Sequence, residues 1–185
     1  MNHFNTLKTT LTAAAMLLFV ASQAQAAQMD KAAYKTEKTR ISADYKVDKA
    51  ACSSLTKNAK DICMEQAKGK EKVAYAEAEY GYTGKPADQA KIMKVKAETG
   101  YAIAKEKCDD LAGNAKDVCI KEAKAVKVKA LVDAKTSKQI AEVKMDGAQE
   151  KRDADYKVAT EKCDAMAGDA KTNCISAAKA KFGKS

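Results

Sequence analysis

The chain has 185 residues, a formal net charge of +9 and 32% charged residues, but only 5% aromatic residues and no tryptophan. This composition excludes a large aromatic core. Lysine greatly outnumbers arginine, which occurs only as Arg40 and Arg152. Because lysine lacks the planar guanidinium group that recognises phosphates and bases, we expect no specific binding of nucleic acid.

Residues 1–26 have the pattern of a secretory signal peptide. Lys8 precedes an apolar run that ends near Val20, and the processing triplet Ala24-Gln25-Ala26 follows. The run is too short to cross a bilayer, although a retained membrane anchor is the alternative. We therefore expect cleavage near Ala26, a periplasmic mature chain without a transmembrane span, and the loss of His3, the only histidine.

The mature chain predicts an all-α fold, because long stretches without glycine or proline alternate with short breaks. Helices are expected over residues 30–55, from after the Lys57-Asn58 tip to about residue 80, and over residues 87–112, 115–134, 138–167 and 170–182. Gly81 to Pro86 is the plainest break, since glycines stop a helix and proline suits the first helical position. Lys135-Thr136-Ser137 is expected to be the matching break in the next repeat, and Asp146-Gly147 a local irregularity.

Six cysteines divide the chain into three repeats, because they form three pairs of one spacing. The pairs are Cys52 and Cys63, Cys108 and Cys119, and Cys163 and Cys174. In one helix, residues at this spacing would lie roughly 16 Å apart, beyond the reach of a disulfide. A chain reversal within each pair removes that obstacle, so we predict three disulfides within the units, formed in an oxidising compartment.

The middle of each cysteine unit carries residues typical of turns: Lys57-Asn58, Gly113-Asn114 and Gly168-Asp169. We expect glycine to take the left-handed position that ends one helix, and Asn or Asp to cap the next helix. Asp117 is expected to complete a capping box in the second unit.

Together these signals predict an up-down meander of long helices built from three disulfide-clamped helical hairpins. The hairpin repeats are assigned to residues 27–80, 81–137 and 138–185. Alanine-rich seams at near-heptad spacing suit close antiparallel packing, as in a coiled coil. Whether the hairpins close into a bundle or extend as a solenoid stays open, as does a homo-oligomer that buries further apolar surface.

Two sets of repeated residues are candidates for function. Tyr45, Tyr101 and Tyr156 each precede a cysteine by two helical turns, which indicates packing along the seam or, alternatively, stacking on a sugar or aromatic ligand. Lysines recur in the first turn after each tip, where free backbone N–H groups can bind an anion. These lysines, which repeat duplication also explains, are Lys60, Lys116 and Lys171.

Stretches of the mature chain resemble exported Ala/Lys-rich helical proteins of Gram-negative bacteria, especially beta-proteobacteria, that carry a cell-envelope or TolA-like label. The likeness rests on residues 101–119, the two related cysteine units, and Thr83-Gly84-Lys85-Pro86-Ala87-Asp88. A fainter resemblance is to the phosphate-starvation-inducible PsiF repeat. These resemblances imply an envelope location and provide no catalytic residues.

We expect no enzymatic activity, cofactor or metal site. The mature chain has no histidine, no Cys-x-x-Cys pair and no nucleophile motif, and its carboxylates are scattered among lysines. The sequence favours a periplasmic structural or stress-related envelope protein whose lysine-rich surface meets anionic envelope polymers or another envelope protein. The alternative is a binding module that takes phosphate-rich or acidic ligands at the hairpin tips.

Overall fold

The computed structural model describes residues 28–184, and the predicted signal peptide lies outside this range. Within it the fold is all-α, as predicted, and contains no strand. The helices are α1 (Lys31–Ala51), α2 (Lys57–Thr83), α3 (Pro86–Cys108), α4 (Gly113–Asp164) and α5 (Gly168–Phe182). A short 3₁₀ turn, Cys52–Ser54, extends the end of α1.

The ends of α1, α2 and α3 follow local chemistry. Asp30 caps α1, because its Oδ1 accepts a hydrogen bond of 2.7 Å from the backbone N–H of Ala33. Helix α2 runs through Gly81 and ends at Gly84, whose φ of 63° puts it in the left-handed region. Pro86 then opens α3, where its missing N–H costs nothing. The predicted break between Gly81 and Pro86 is therefore confirmed, although α2 continues past Tyr80 to Thr83.

The three hairpin tips share one backbone path, which differs from the predicted one. Each incoming helix closes with an i→i+3 hydrogen bond to the carbonyl of the first cysteine, as from Leu111 N to Cys108 O at 3.0 Å. This tightening makes a glycine at the helix end unnecessary. Gly113, at φ 54°, instead begins α4 after the extended Ala112.

The predicted caps at these tips are wrong. Among the described residues, α2, α4 and α5 have no side-chain cap: Ala112 and Ala167 carry no acceptor, and the hydroxyl of Thr56 makes no cap hydrogen bond. Asn58 is used differently: its Nδ2 donates a hydrogen bond of 2.8 Å to the carbonyl of Glu106 at the end of α3. The asparagine thus joins two tips and does not cap its own helix.

Replacing Lys57 by glycine is expected to raise the free energy of unfolding by about 1 kcal/mol. Lys57 has φ 51°, where Gly113 and Gly168 have 54° and 56°, and it is the only non-glycine residue with positive φ among the described residues. A side chain is strained in this region, and the substitution removes that strain. Urea denaturation of the oxidised protein measures the change. The reciprocal Gly113→Lys variant should lose a similar amount, and equal stability of all three proteins would contradict the argument.

Helix α4 is continuous over 52 residues, which corresponds to about 78 Å. The expected break at residues 135–137 is therefore wrong, and so is the irregularity at Gly147. The reason is chemical: Lys135-Thr136-Ser137 contains neither the left-handed glycine nor the proline that separates α2 from α3. The assigned boundary between the second and third repeats falls inside this helix, and residues 28–184 form five α-helices where six were expected.

The helices form an open layer. In the described chain, each helix contacts only the helices that precede and follow it, so α1 touches α2 and α4 touches α3 and α5. The order α1–α2–α3–α4 is a row of antiparallel neighbours, and α5 folds back along the last part of α4. The choice between a closed bundle and an extended array is thus decided in favour of the extended array.

The core along these seams is thin. Apart from Ile41, which is 2% exposed, the buried apolar side chains of residues 28–184 are alanines and cysteines. They are Ala67, Ala76, Ala78, Ala134, Ala178, Cys52, Cys108 and Cys163. Alanine buries little apolar area, so covalent links between the helices carry more weight here than in a larger core.

Candidate functional site

The disulfides form within each unit, as predicted. Cys52 bonds to Cys63, Cys108 to Cys119 and Cys163 to Cys174, with Cα–Cα distances of 5.6, 5.7 and 5.7 Å. The first cysteine of each pair is fully buried. No free cysteine occurs among the described residues. The tip of each hairpin is therefore a covalently fixed turn between two helices.

The repeated tip lysines form ion pairs across the turn in two of the three units. Lys116 Nζ lies 3.0 Å from an Asp109 carboxylate oxygen, and Lys171 Nζ lies 2.9 Å from Asp164. Each pair spans the turn from one helix to the next. Both units have an Asp directly after the first cysteine, but only the path of the turn shows that this Asp lies next to the lysine.

The first tip differs because Ser53 stands where the other units have Asp. Within residues 28–184, Lys60 forms no ion pair, and the first turn of α2 also carries Lys57. Exposed ion pairs contribute little to stability, but they do offset the local charge. The three tips are therefore electrostatically unequal, and anion binding by Lys60, Lys116 and Lys171 stays a prediction.

The repeated tyrosines lie along the seams between helices. Tyr45, Tyr101 and Tyr156 are partly buried. The Lys127 ammonium group lies 4.3 Å from the ring centroid of Tyr101, and Tyr156 meets Phe182 edge-on with a centroid distance of 6.2 Å. These contacts join α3 to α4 and α4 to α5, which agrees with the packing interpretation. Stacking on a sugar stays an untested alternative.

Helix α5 is held to α4 by more than its disulfide. Lys184 Nζ lies 2.6 Å from Asp153 Oδ1, and this hydrogen bond is the main cause that lowers the pKa of Asp153. Other pKa shifts also arise in surface ion pairs, such as the lowered pKa of Glu37, which accepts hydrogen bonds from Arg40. In the described part of the chain, no polar or charged side chain is buried.

An apolar groove of about 470 Å³ runs between α3 and α4. Met93, Ala97, Tyr101 and Val126 contribute to its walls, and Lys96 and Asp133 also line it. The groove is open along its length. Ligand sites are typically more enclosed and have several convergent polar groups, which this groove lacks within residues 28–184.

Among residues 28–184, no group of three or more His, Cys, Asp or Glu side chains is placed to hold a metal ion. No helix in this range is both long enough and apolar enough to cross a membrane. Comparisons with protein-family models, curated proteins and solved structures found no match to the chain. The resemblance to envelope and TolA-like proteins therefore stays a prediction.

Proposed function

We propose that this chain is a non-enzymatic structural protein of the periplasm, and that its lysine-rich surface binds anionic polymers of the cell envelope. The observation that carries the proposal is the open layer of helices held by three disulfides, with its charged side chains at the surface. An open layer offers much more surface per residue than a closed bundle. Its disulfides are stable in an oxidising compartment such as the periplasm.

The chemistry of the surface favours non-specific electrostatic binding of polyanions over recognition of a ligand by its shape. The chain carries 34 basic and 25 acidic residues, and nearly all of the basic ones are lysines. Lysine is a strongly hydrated point charge on a flexible stem, so it attracts anions without fixing their orientation. Acidic residues interspersed along the same helices pair with some lysines, as Glu77 does with Lys96 at 2.7 Å. Binding is therefore distributed over the surface.

Binding of the mature, oxidised protein to polyphosphate and to polyglutamate tests the proposal. We expect similar affinities for the two polymers, because charge is recognised and shape is not. We also expect the affinity to fall steadily as the salt concentration rises. Fluorescence anisotropy of end-labelled polymers at several salt concentrations measures both effects. An acidic helical protein of similar length provides the negative control, and no binding at low salt would contradict the proposal.

The second candidate, a discrete anion site at a hairpin tip, is best supported at Lys60, which forms no ion pair among residues 28–184. It predicts saturable binding of inorganic phosphate with a defined stoichiometry. Lys60→Ala would then abolish the binding, whereas Lys116→Ala, at a tip whose lysine is already paired with Asp109, would leave most of it. Such a result would favour the binding module over distributed contact.

A further inference from the structure

The face of α4 that points away from α3 is uncovered among residues 28–184 and carries valines and an alanine around one charged residue, Lys121. Val118, Val128 and Val132 are 44%, 49% and 58% exposed, and Ala125 lies among them on the same face. We call these four residues the open face of α4. Single exposed apolar residues are ordinary, but several β-branched residues aligned on one helix face indicate a surface that becomes covered.

The repeat shows what covers such a face. Ala125 and Val132 follow Cys119 by the same number of residues as Gly69 and Ala76 follow Cys63. In α2 these positions are buried by α3: a Cβ placed on Gly69 would lie 3.3 Å from Thr99 Cβ and 3.6 Å from Ile103 Cδ1. The continuous α4 does not turn back, so no helix among residues 28–184 covers the corresponding face.

A matching uncovered face exists on α1, the helix at the other edge of the layer. The face of α3 that lies on α2 is half-buried and consists of Asp88, Ile92, Val95, Thr99, Ile103 and Glu106. The residues of α1 that precede Cys52 by the same numbers of positions as these residues precede Cys108 are uncharged, and all of them are exposed. They are Ala32, Thr36, Thr39, Ala43, Val47 and Ala50. We call these six residues the open face of α1.

We propose that the open face of α1 in one copy of the chain packs antiparallel against the open face of α4 in a second copy, reproducing the α2–α3 contact between molecules. This inference goes beyond the proposed polymer binding and does not depend on it. The two faces are different surfaces, so a pair of copies still has one open α1 face and one open α4 face, and a further copy can bind at either end. A contact of this type is head-to-tail and adds copies in series.

Side-chain sizes across the two faces are compensated at one of the two positions compared. Where α2 and α3 pair Gly69 with Thr99, the equivalent positions are Ala125 and Ala43. The small Ala76 near Val95 in the α2–α3 seam corresponds to the larger Val132 with the smaller Thr39. At the first pair the methyl gained at Ala125 is offset by the smaller Ala43, whereas at the second pair Val132 adds bulk that Thr39 does not remove, so the seam between copies is wider near Val132.

The ion pairs at the edge of the α2–α3 seam are only partly reproduced in the proposed contact between copies. The ion pair between Lys96 and Glu77, at 2.7 Å, corresponds to Arg40 on α1 and Asp133 on α4, which keep the same signs. The second pair, Lys91 with Glu79, corresponds to Lys35 with Lys135, which repel each other. Salt screens that repulsion, so self-association should persist at salt concentrations that release polyanions.

The experiment compares V47K, which blocks the open face of α1, with V132K, which blocks the open face of α4. Sedimentation velocity of the mature, oxidised proteins over a wide concentration range is the measurement. The parent protein is expected to form species larger than a dimer as its concentration rises, whereas each variant alone stays monomeric. An equimolar mixture of the two variants should form a one-to-one dimer and nothing larger, because one intact face remains on each.

The matched control is V158K, because Val158 is 55% exposed and lies on the same helix outside the proposed contact. It should assemble like the parent protein. Circular dichroism of all variants establishes that the helices are retained. Parent protein that is monomeric at every concentration would overturn the proposal. So would V47K that assembles as the parent does while V132K does not, because that result indicates α4 pairing with α4.

Discussion

Replacing Cys108 and Cys119 together by alanine is expected to lower the free energy of unfolding by about 3 kcal/mol. This bridge joins α3 to α4 across a short loop, and its removal releases conformational entropy in the unfolded chain. Single domains are stable by only about 5–15 kcal/mol, and the seam here consists mainly of alanine, so the loss is a large share of the total. Urea denaturation followed by far-UV circular dichroism measures it.

The pair Cys163 and Cys174 provides a control with a different expected outcome. Helix α5 has 15 residues and contacts only α4 within the described chain. Helices of about 12–15 residues are marginal on their own, so losing this bridge should release α5 locally. Hydrogen exchange should rise in α5 while the main unfolding transition changes little. An unchanged transition in the Cys108→Ala, Cys119→Ala protein would contradict the entropic account.

The covalent framework could be predicted from the sequence because geometry leaves few alternatives. Cysteines at this spacing cannot bond within one helix, and Gly113 and Gly168 mark the place where the chain must reverse. The Gly84-Lys85-Pro86 break was equally accessible, since a left-handed glycine and a first-turn proline are strong local signals. Each of these features depends on a single glycine, proline or cysteine whose geometric requirements decide the local path of the chain.

Other features depend on contacts that the local sequence does not encode. The break expected at residues 135–137 was inferred by analogy with the first repeat, but Thr136 and Ser137 are tolerated inside a helix. The choice of an open layer over a bundle was also inaccessible, because alanine occurs on several faces of each helix. The ion pair between Lys116 and Asp109 required the turn path, although both residues recur in the third unit as Lys171 and Asp164.

Gly69→Val is expected to lower the free energy of unfolding by about 2 kcal/mol, because it places a branched side chain in the tight α2–α3 seam. A Cβ at this position already approaches Thr99 Cβ at 3.3 Å, and that atom cannot rotate away. Helices α2 and α3 must therefore separate to accept valine. Thermal and urea denaturation of the oxidised protein measure the loss, and weaker protection of α3 amides from hydrogen exchange should accompany it.

Gly147→Val is the matched control, since Gly147 lies inside α4 and a Cβ there has no neighbouring atom within 4 Å. Valine has a higher helix propensity than glycine, so this variant should be slightly more stable than the parent by a few tenths of a kcal/mol. Opposite signs for the two substitutions would show that close approach of α2 to α3 requires glycine at residue 69. An equal increase in the free energy of unfolding for both variants would mean that the α2–α3 seam can widen freely. Packing of this kind could then not specify the contact proposed between copies.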